Sequence, residues 1–260
     1  GRRAVAGLRQ LAASRLVGDM GAEREIGGAV GQQRQRAAQQ AHSATHLVHA
    51  ALRDTLGKSA TQAGSLNRAG YMRFDYSYPE APSAQMRGEI EDVANLAVRS
   101  NYQVGTEYLP FEDAKRSGAM ALFGEKYGKE VRVVSIGGDW SRELCGGTHV
   151  ASTGAIGTVQ LMGEASIGSG VRRVDALVGL SAYRHQAKSH ALVSQLSEML
   201  KVGSAEELPE RVRSLTQRMR DMEKQLATLR GQQLQAEAGR LVDSAQDVSG
   251  VRVLLHDAGE

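Results

Sequence analysis

His42 and His46 form a His-x-x-x-His pair, and far downstream Cys145 and His149 form a Cys-x-x-x-His pair. Spacing of i, i+4 puts both members of a pair within reach of one ion from a helix face or a tight loop. Three imidazoles and one thiolate suit tetrahedral zinc, whose charge lowers the cost of forming the thiolate. Cys145 is the only cysteine in the chain, so its place in the pattern argues against coincidence. In Cys145-Gly146-Gly147-Thr148-His149 the glycines let the backbone turn tightly, and Gly146 and Gly147 leave N–H groups for a ligand oxygen. For the second pair alone, a buried structural cysteine beside an unrelated histidine is an equal reading. For the first pair the rival is the zincin motif, but Ser43 stands where that motif needs its glutamate base. His49 shares the helical face of His46, either as a spare ligand or, preferred here, as a packing or outer-shell residue. His185, His190 and His256 have no partners at ligand spacing.

These residues need elements to position them. A helix is expected from Gln35 through Ala44, Leu47, Val48 and Leu52 to a stop at Gly57, carrying His42 and His46 on one face. Upstream, residues 1–34 read as an Arg-rich, poorly defined helical segment with a stripe through Leu8, Leu11 and Leu16, broken at Gly27, Gly28 and Gly31. Gly64–Gly70 reads as a loop, and Tyr71–Tyr76 alternates as a strand should. A helix over Glu89–Arg99, a strand over Val104–Leu109, a short helix over Glu112–Ser117 and strands at Val131–Ile136, Gly157–Met162 and Val171–Val178 follow. Irregular interleaving favours an α+β fold over a doubly wound sheet. Ser181–Leu200 reads as one helix. From Leu208 the positions Val212, Leu215, Met219, Met222, Leu226 and Leu229 form a heptad stripe, which suits a coiled-coil arm, an antiparallel helix pair or a helix packed on its own domain. Val251–Leu255 reads as the first strand of a further domain. The chain starts at Gly1 rather than Met and stops in mid-pattern at Glu260, as a piece of something longer would.

Bulk properties narrow the class. A single cysteine excludes an internal disulfide framework and fits a reducing cytoplasm, and no run is apolar enough to span a bilayer. The net charge is +3, with seven Arg against three acids before residue 41. The remainder is close to neutral, so affinity for nucleic acid must come from local patches.

The stretches His42-Ser43-Ala44-Thr45-His46-Leu47-Val48-His49-Ala50-Ala51-Leu52, Ser141-Arg142-Glu143-Leu144-Cys145-Gly146-Gly147-Thr148-His149 and Ser166-Ile167-Gly168-Ser169-Gly170-Val171-Arg172-Arg173 resemble, in order, the editing domain of alanyl-tRNA synthetase. The resemblance implies a zinc-dependent tRNA editing domain over 35–180, with an editing-domain-like sheet and packed helices. A helical linker or coiled-coil arm over 181–246 and the start of a truncated C-terminal domain over 247–260 would follow. It implies hydrolysis of Ser-tRNA(Ala) and Gly-tRNA(Ala), Zn2+ on His42, His46, Cys145 and His149, and substrate recognition by Thr45 and Gln62; in such a reaction the backbone groups of Gly146 and Gly147 would position the water. A Thr hydroxyl and a Gln amide are sensible readers of a serine hydroxyl; on the residues alone they read as a helix back-bond and a solvated loop. Arg172 and Arg173 would hold the acceptor end of tRNA(Ala) by phosphate contacts. Adjacent strand residues face opposite ways, so one of them at most would face the pocket. The heptad helix would serve self-association. A threonyl-type editing domain shares the ligand pattern, and a structural zinc module that binds RNA is the reading from a different class. The departures are residues 1–34, which do not look like the family's small β-barrel, and the lack of anything like its ATP-dependent aminoacylation domain.

Overall fold

The computed structural model describes residues 20–121 and 127–254, with side chains from residue 31. The expected stripe Leu8, Leu11 and Leu16, the end of the last strand at Leu255 and His256 lie outside the described residues. Contacts divide the chain into two units at 187/188.

The first unit is organised around one helix, α1, over Met20–Leu56. It begins well before Gln35 and passes unbroken through Gly27, Gly28 and Gly31. Glu, Arg, Gln and Ala between them are strong helix formers and offset a cost of about 1 kcal/mol per glycine. From Ser43 to Leu52 every residue of α1 is buried, which means that the helix is covered on all sides. Ala44, Ala50 and Ala51 make this possible by letting neighbouring elements approach. Gly57, at φ +97°, ends the helix by donating its N–H to Arg53 at 3.0 Å, a left-handed cap that glycine adopts without strain.

One flank of α1 packs on a four-stranded antiparallel sheet in the order β1 (Gln62–Arg68), β2 (Tyr71–Ser77), β7 (Val171–Val178), β6 (Val159–Gly168). The tract expected as a loop from Gly64 is therefore strand β1, whose register slips between Gln62 and Gly64. A one-residue irregularity of this kind destroys the alternation that sequence reading relies on. Met72, Phe74 and Tyr76 of β2 and Val174, Ala176 and Val178 of β7 form the buried face. α2 (Ala84–Arg99) is capped by Ser83, which accepts from the Met86 N–H, and buries Ile90, Ala94 and Ala97 in the same core.

The second sheet orders β3 (Val104–Pro110), β4 (Glu130–Ile136) and β5 (Ser141–Leu144), again antiparallel. Strand β4 feeds two cores through its alternation. Val134 and Ile136 join the main core, whereas Val131 and Val133 join a small cluster with Ala114 of α3 (Phe111–Arg116) and Leu144. β5 has no counterpart in the sequence reading, because its polar alternation of Ser141, Arg142 and Glu143 carries no hydrophobic signal. The fold is α+β with antiparallel sheets and packed helices.

Helix α4 (Leu180–Leu200) crosses the boundary between the units, and the second unit holds α5 (Leu208–Asp243) and a hairpin of β8 (Gln246–Val248) and β9 (Val251–Val253). On α5 the heptad residues Val212, Met219, Met222, Leu226 and Leu229 are half or more exposed.

The contrast in burial sets a stability prediction. Phe74 is fully buried, with its ring 5.0 Å from His49 and 6.5 Å from Tyr76. Phe74→Ala is expected to cost about 3–5 kcal/mol, and Met219→Ala, at 62% exposure, within about 0.5 kcal/mol. Denaturant unfolding of both variants checks this, and equal losses contradict the assigned core.

Candidate metal centre

Two periodicities bring the site together. On α1 the 3.6-residue repeat aligns His42, His46 and His49 on the flank that meets the second sheet. On β5 the two-residue repeat turns Ser141, Glu143 and, just past the strand, Cys145 toward α1, because Glu143 pairs with Val134, whose side chain lies in the main core. The ligand atoms of His42, His46, Cys145 and His149 lie within 4.8 Å of one another. Cys145 Sγ is 3.4 Å from His42 Nε2 and 3.4 Å from His149 Nε2. Zinc bonds of about 2.0–2.3 Å give a tetrahedral S···N edge close to that spacing. His46 Nε2 is buried with no hydrogen-bond partner in the protein. A buried nitrogen is seldom left so without a function, and here a metal would satisfy it, so the donor set fits zinc.

Electrostatics prepare the same chemistry. Burial alone raises the Cys145 thiol, but hydrogen bonds from His149 and His42 and the charge of the nearby His46 outweigh it and bring the thiol down to about 3. Burial alone lowers His46, yet the Glu143 carboxylate, 3.0 Å from its Nδ1, and the Cys145 thiolate hold it at about 10. Glu143 is pushed up by burial and pulled further down by His46 and His49, to well below the usual carboxylate range. His149 is lowered, first by burial. The shifts of Cys145 and Glu143 both favour the anion, so the pocket attracts positive charge, which a proton on His46 or a metal ion in its place would supply.

The loop after β5 is held from one side. Arg132 Nη1 donates to the carbonyls of Cys145 at 2.8 Å and Gly147 at 2.6 Å. In a planar trans peptide the next N–H points opposite to its carbonyl, so the N–H groups of Gly146 and Thr148 face away from Arg132. Among the described residues no acceptor pairs with the N–H groups of Gly146, Gly147, Thr148 or His149. Gly147 has a steric role as well. A Cβ there would lie 1.8 Å from His42 Cε1, so the imidazole occupies the space a side chain would take. Ser43, considered in the sequence only as a missing glutamate, accepts from the Val150 N–H at 3.1 Å and lies 3.2 Å from His149 Nδ1. Its oxygen leaves His149 Nε2 for Cys145. Ser43, Glu143, Arg132 and Thr148 were missed. The signal available was period two: Glu143 precedes Cys145 by two and so shares its face.

Thr45 is buried against β1 and β2, its hydroxyl 2.6 Å from Asn67 Oδ1, 3.0 Å from the Ala41 carbonyl and 3.8 Å from Met72 Sδ. The back-bond that the residues alone suggest is thus available, and Asn67 competes for the same hydrogen. Gln62 sits at the start of strand β1, not in a loop, and donates to Ser65 Oγ at 3.1 Å. His49 is not in the four-donor cluster; its Nδ1 lies 3.0 Å from Glu143 Oε1. Arg172 and Arg173 take opposite faces of β7, and each guanidinium is forked onto a carboxylate. Arg172 holds Glu164, with one contact at 2.7 Å, and Arg173 holds Asp75 at 2.7 and 2.9 Å. As expected of neighbours on a strand, the two point to opposite sides, and each is already paired within the sheet.

Steric contact at Gly147 yields a sharp expectation. Gly147→Ala should displace His42 and weaken zinc binding by about 10–100-fold, whereas Gly146→Ala, with nothing within 4 Å of its Cβ, should bind zinc normally. Competition with a chromophoric chelator measures both, and equal affinities refute the contact.

Residues 131–175 match the family described as the threonyl and alanyl tRNA synthetase second additional domain. The chain is 53% identical over 243 residues to an alanine-tRNA ligase of Paenarthrobacter aurescens (strain TC1), covering 94% of this chain and 27% of that protein. It is also 53% identical over 243 residues to one from Arthrobacter sp. (strain FB24) and 52% over 245 residues to one from Kocuria rhizophila, with the same coverage. The likeness to the alanyl-tRNA synthetases carried by the three motifs therefore extends over nearly the whole chain, which spans 27% of those relatives' length.

Proposed function

We propose that this chain hydrolyses tRNA(Ala) wrongly esterified with serine or glycine, at a zinc ion held by His42, His46, Cys145 and His149. The observation that carries the reading is the convergence of these four donors, two of them on a loop whose backbone N–H groups have no acceptor among the described residues, in a segment similar to alanine-tRNA ligases. The chemical need is general. An alanine pocket cannot exclude glycine sterically, and serine adds only a hydroxyl, so selection by binding leaves errors for a second site to remove. Zinc bound here supplies positive charge that polarises an ester or binds its amino group.

The protein's own groups do the rest. The Gly146 and Thr148 N–H groups, turned outward by Arg132, and Gly147 beside them, are donors for the ester oxygen as negative charge develops on it. Thr45 precedes the ligand His46 on α1. With its hydrogen given to Asn67 or Ala41 it offers the substrate's serine hydroxyl an acceptor, and Gln62, donating to Ser65, keeps its amide oxygen for the same task. Alanine would leave these acceptors unpaired. Arg173, at 29% side-chain exposure against 13% for Arg172, has the more accessible guanidinium for the acceptor end of tRNA(Ala). Residues 35–180 would form the editing domain and 181–246 the linker arm, with 247–260 opening a further domain. The exposed heptad face of α5 supports self-association. No helix among the described residues is long and apolar enough to cross a membrane, which suits a cytoplasmic setting.

One observation favours a second reading. Four protein ligands close a tetrahedral zinc, as structural sites do, so the metal would then only hold the fold of an RNA-binding module. Deacylation of Ser-tRNA(Ala) separates the two. The unaltered chain should hydrolyse it, and Cys145→Ala should fall to the uncatalysed rate while keeping its fold and its tRNA affinity. A chain that binds tRNA without hydrolysing it, or a variant that unfolds on losing the metal, favours the structural site. For the arginines, Arg173→Ala should weaken tRNA(Ala) binding more than Arg172→Ala does. Arg172→Ala should lower Tm more, because the Glu164 side chain it strands is the more enclosed acid, 5% exposed against 12% for Asp75. Equal tRNA affinities would remove Arg173 from the binding surface.

A further inference from the structure

Glu143 places its two carboxylate oxygens on two different histidines. Oε2 is 3.0 Å from His46 Nδ1 and Oε1 is 3.0 Å from His49 Nδ1, with side-chain exposures of 7%, 5% and 4%. On β5 itself the carboxylate meets only the Ser141 hydroxyl, at a long 3.5 Å; Val134, its partner across the ladder, is apolar and fully buried. An uncompensated carboxylate in this position would cost several kcal/mol.

We propose that Glu143 is a positioning residue of the metal centre, fixing which nitrogen of His46 faces the ion and balancing the ion's residual charge. This rests on the metal reading above and deepens it. A neutral imidazole can carry its proton on either nitrogen, and a half-turn about Cβ–Cγ would put Cε1 where Nε2 stands. A carboxylate 3.0 Å from Nδ1 favours the proton on that nitrogen and the present ring orientation, and leaves the lone pair of the buried Nε2 for the metal. Charge gives the second half. A divalent cation with one thiolate and three neutral imidazoles keeps one positive charge in a buried site, and one carboxylate cancels it. Cys145 being the only cysteine, Glu143 is the anion that does so.

His49 completes the device from behind. Its ring lies 5.0 Å from that of Phe74, and its Nδ1 engages the second oxygen of Glu143, so the carboxylate cannot rotate away from His46. This gives His49 a task without making it a ligand. Ser43 serves His149 by the same logic with a neutral oxygen, so geometry at His149 is set without added charge. The two supports differ in kind: losing Ser43 loosens a ring, whereas losing the charge of Glu143 also unbalances the ion.

The test uses the whole 260-residue chain, stripped of metal by chelation and titrated with Co2+. Ligand-field bands report coordination geometry, and the thiolate-to-cobalt band reports Cys145. Zinc affinity follows by competition. Glu143→Gln keeps the shape and loses the charge; it should bind cobalt about 10–100-fold more weakly with shifted ligand-field bands. Glu143→Asp keeps the charge one methylene further back and should recover part of the loss. His49→Gln retains a donor toward Glu143 and should stay within about threefold of the unaltered protein. Melting in the presence of EDTA checks that each variant folds. Should Glu143→Gln not fold, Glu143→Asp decides, with a loss of about tenfold expected. Unaltered cobalt affinity and spectrum in the folded variants overturn the assignment to Glu143. If the unaltered chain binds no cobalt or zinc, the metal reading itself fails and takes this one with it; if it binds metal but hydrolyses no Ser-tRNA(Ala), only the deacylase reading fails.

Discussion

Much of the first unit follows from placing a polar seam inside the core. α1 is covered on all sides, yet it carries three histidines and Ser43 where a buried helix would ordinarily carry leucine. Polar groups at that depth persist only if each finds a partner. β5 and the loop that follows it supply the partners: Glu143 for His46 and His49, and Cys145 for His42 and His149. The second sheet is thereby tied to α1 by charge and hydrogen bonds, and the four-stranded sheet by packing of Met72, Phe74 and Tyr76. A register slip of one residue in β5 would send Glu143 to the other face and leave buried imidazoles facing a leucine or an arginine. Polar specificity, more than apolar area, therefore fixes β5 on α1.

Legibility in the sequence followed physical regularity. Helical spacing disclosed the His42/His46 face, and a rare residue in a glycine-rich turn disclosed Cys145 and His149. Strands with clean alternation, such as β2, β4 and β7, were readable. β1 was not, because a bulge breaks its period between Gln62 and Gly64. β5 was not, because its inward residues are Ser141 and Glu143, and an inward acid looks like a surface residue until its partner is known. The start of α1 was misplaced for a different reason: glycine lowers helix propensity locally, whereas the helix sums it over many residues. Arg172 and Arg173 show the limit of composition. Their carboxylate partners Glu164 and Asp75 lie on other strands, and only the register β2-β7-β6 reveals those pairs.

The two units differ in where their apolar residues go. In the first, Leu47, Phe74, Ile136 and Ile156 are enclosed, and the polar seam is stable because water is kept out. On α5 the heptad residues stay exposed, so its helicity rests on local propensity and on i, i+3 pairs such as Arg213 with Glu210. Exposed ion pairs contribute little, which makes the length of the helix and its strong helix formers the main local support.

Closure of a metal by four protein ligands and participation in hydrolysis pull in opposite directions, and the geometry suggests how one site can reconcile them. Zinc need not do all the electrostatic work. Arg132 binds the carbonyls of Cys145 and Gly147, and peptide planarity then aims the following N–H groups away from Arg132. Ligand loop and donor row are one segment, so whatever fixes the cysteine also fixes the donors. In the hydrolysis proposed above, a metal that only shapes this loop would still contribute, because preorganised donors require no rearrangement as charge develops on an ester oxygen. Scaffold and catalyst are then two descriptions of one constraint, the rigidity of Cys145-Gly146-Gly147-Thr148-His149 against α1.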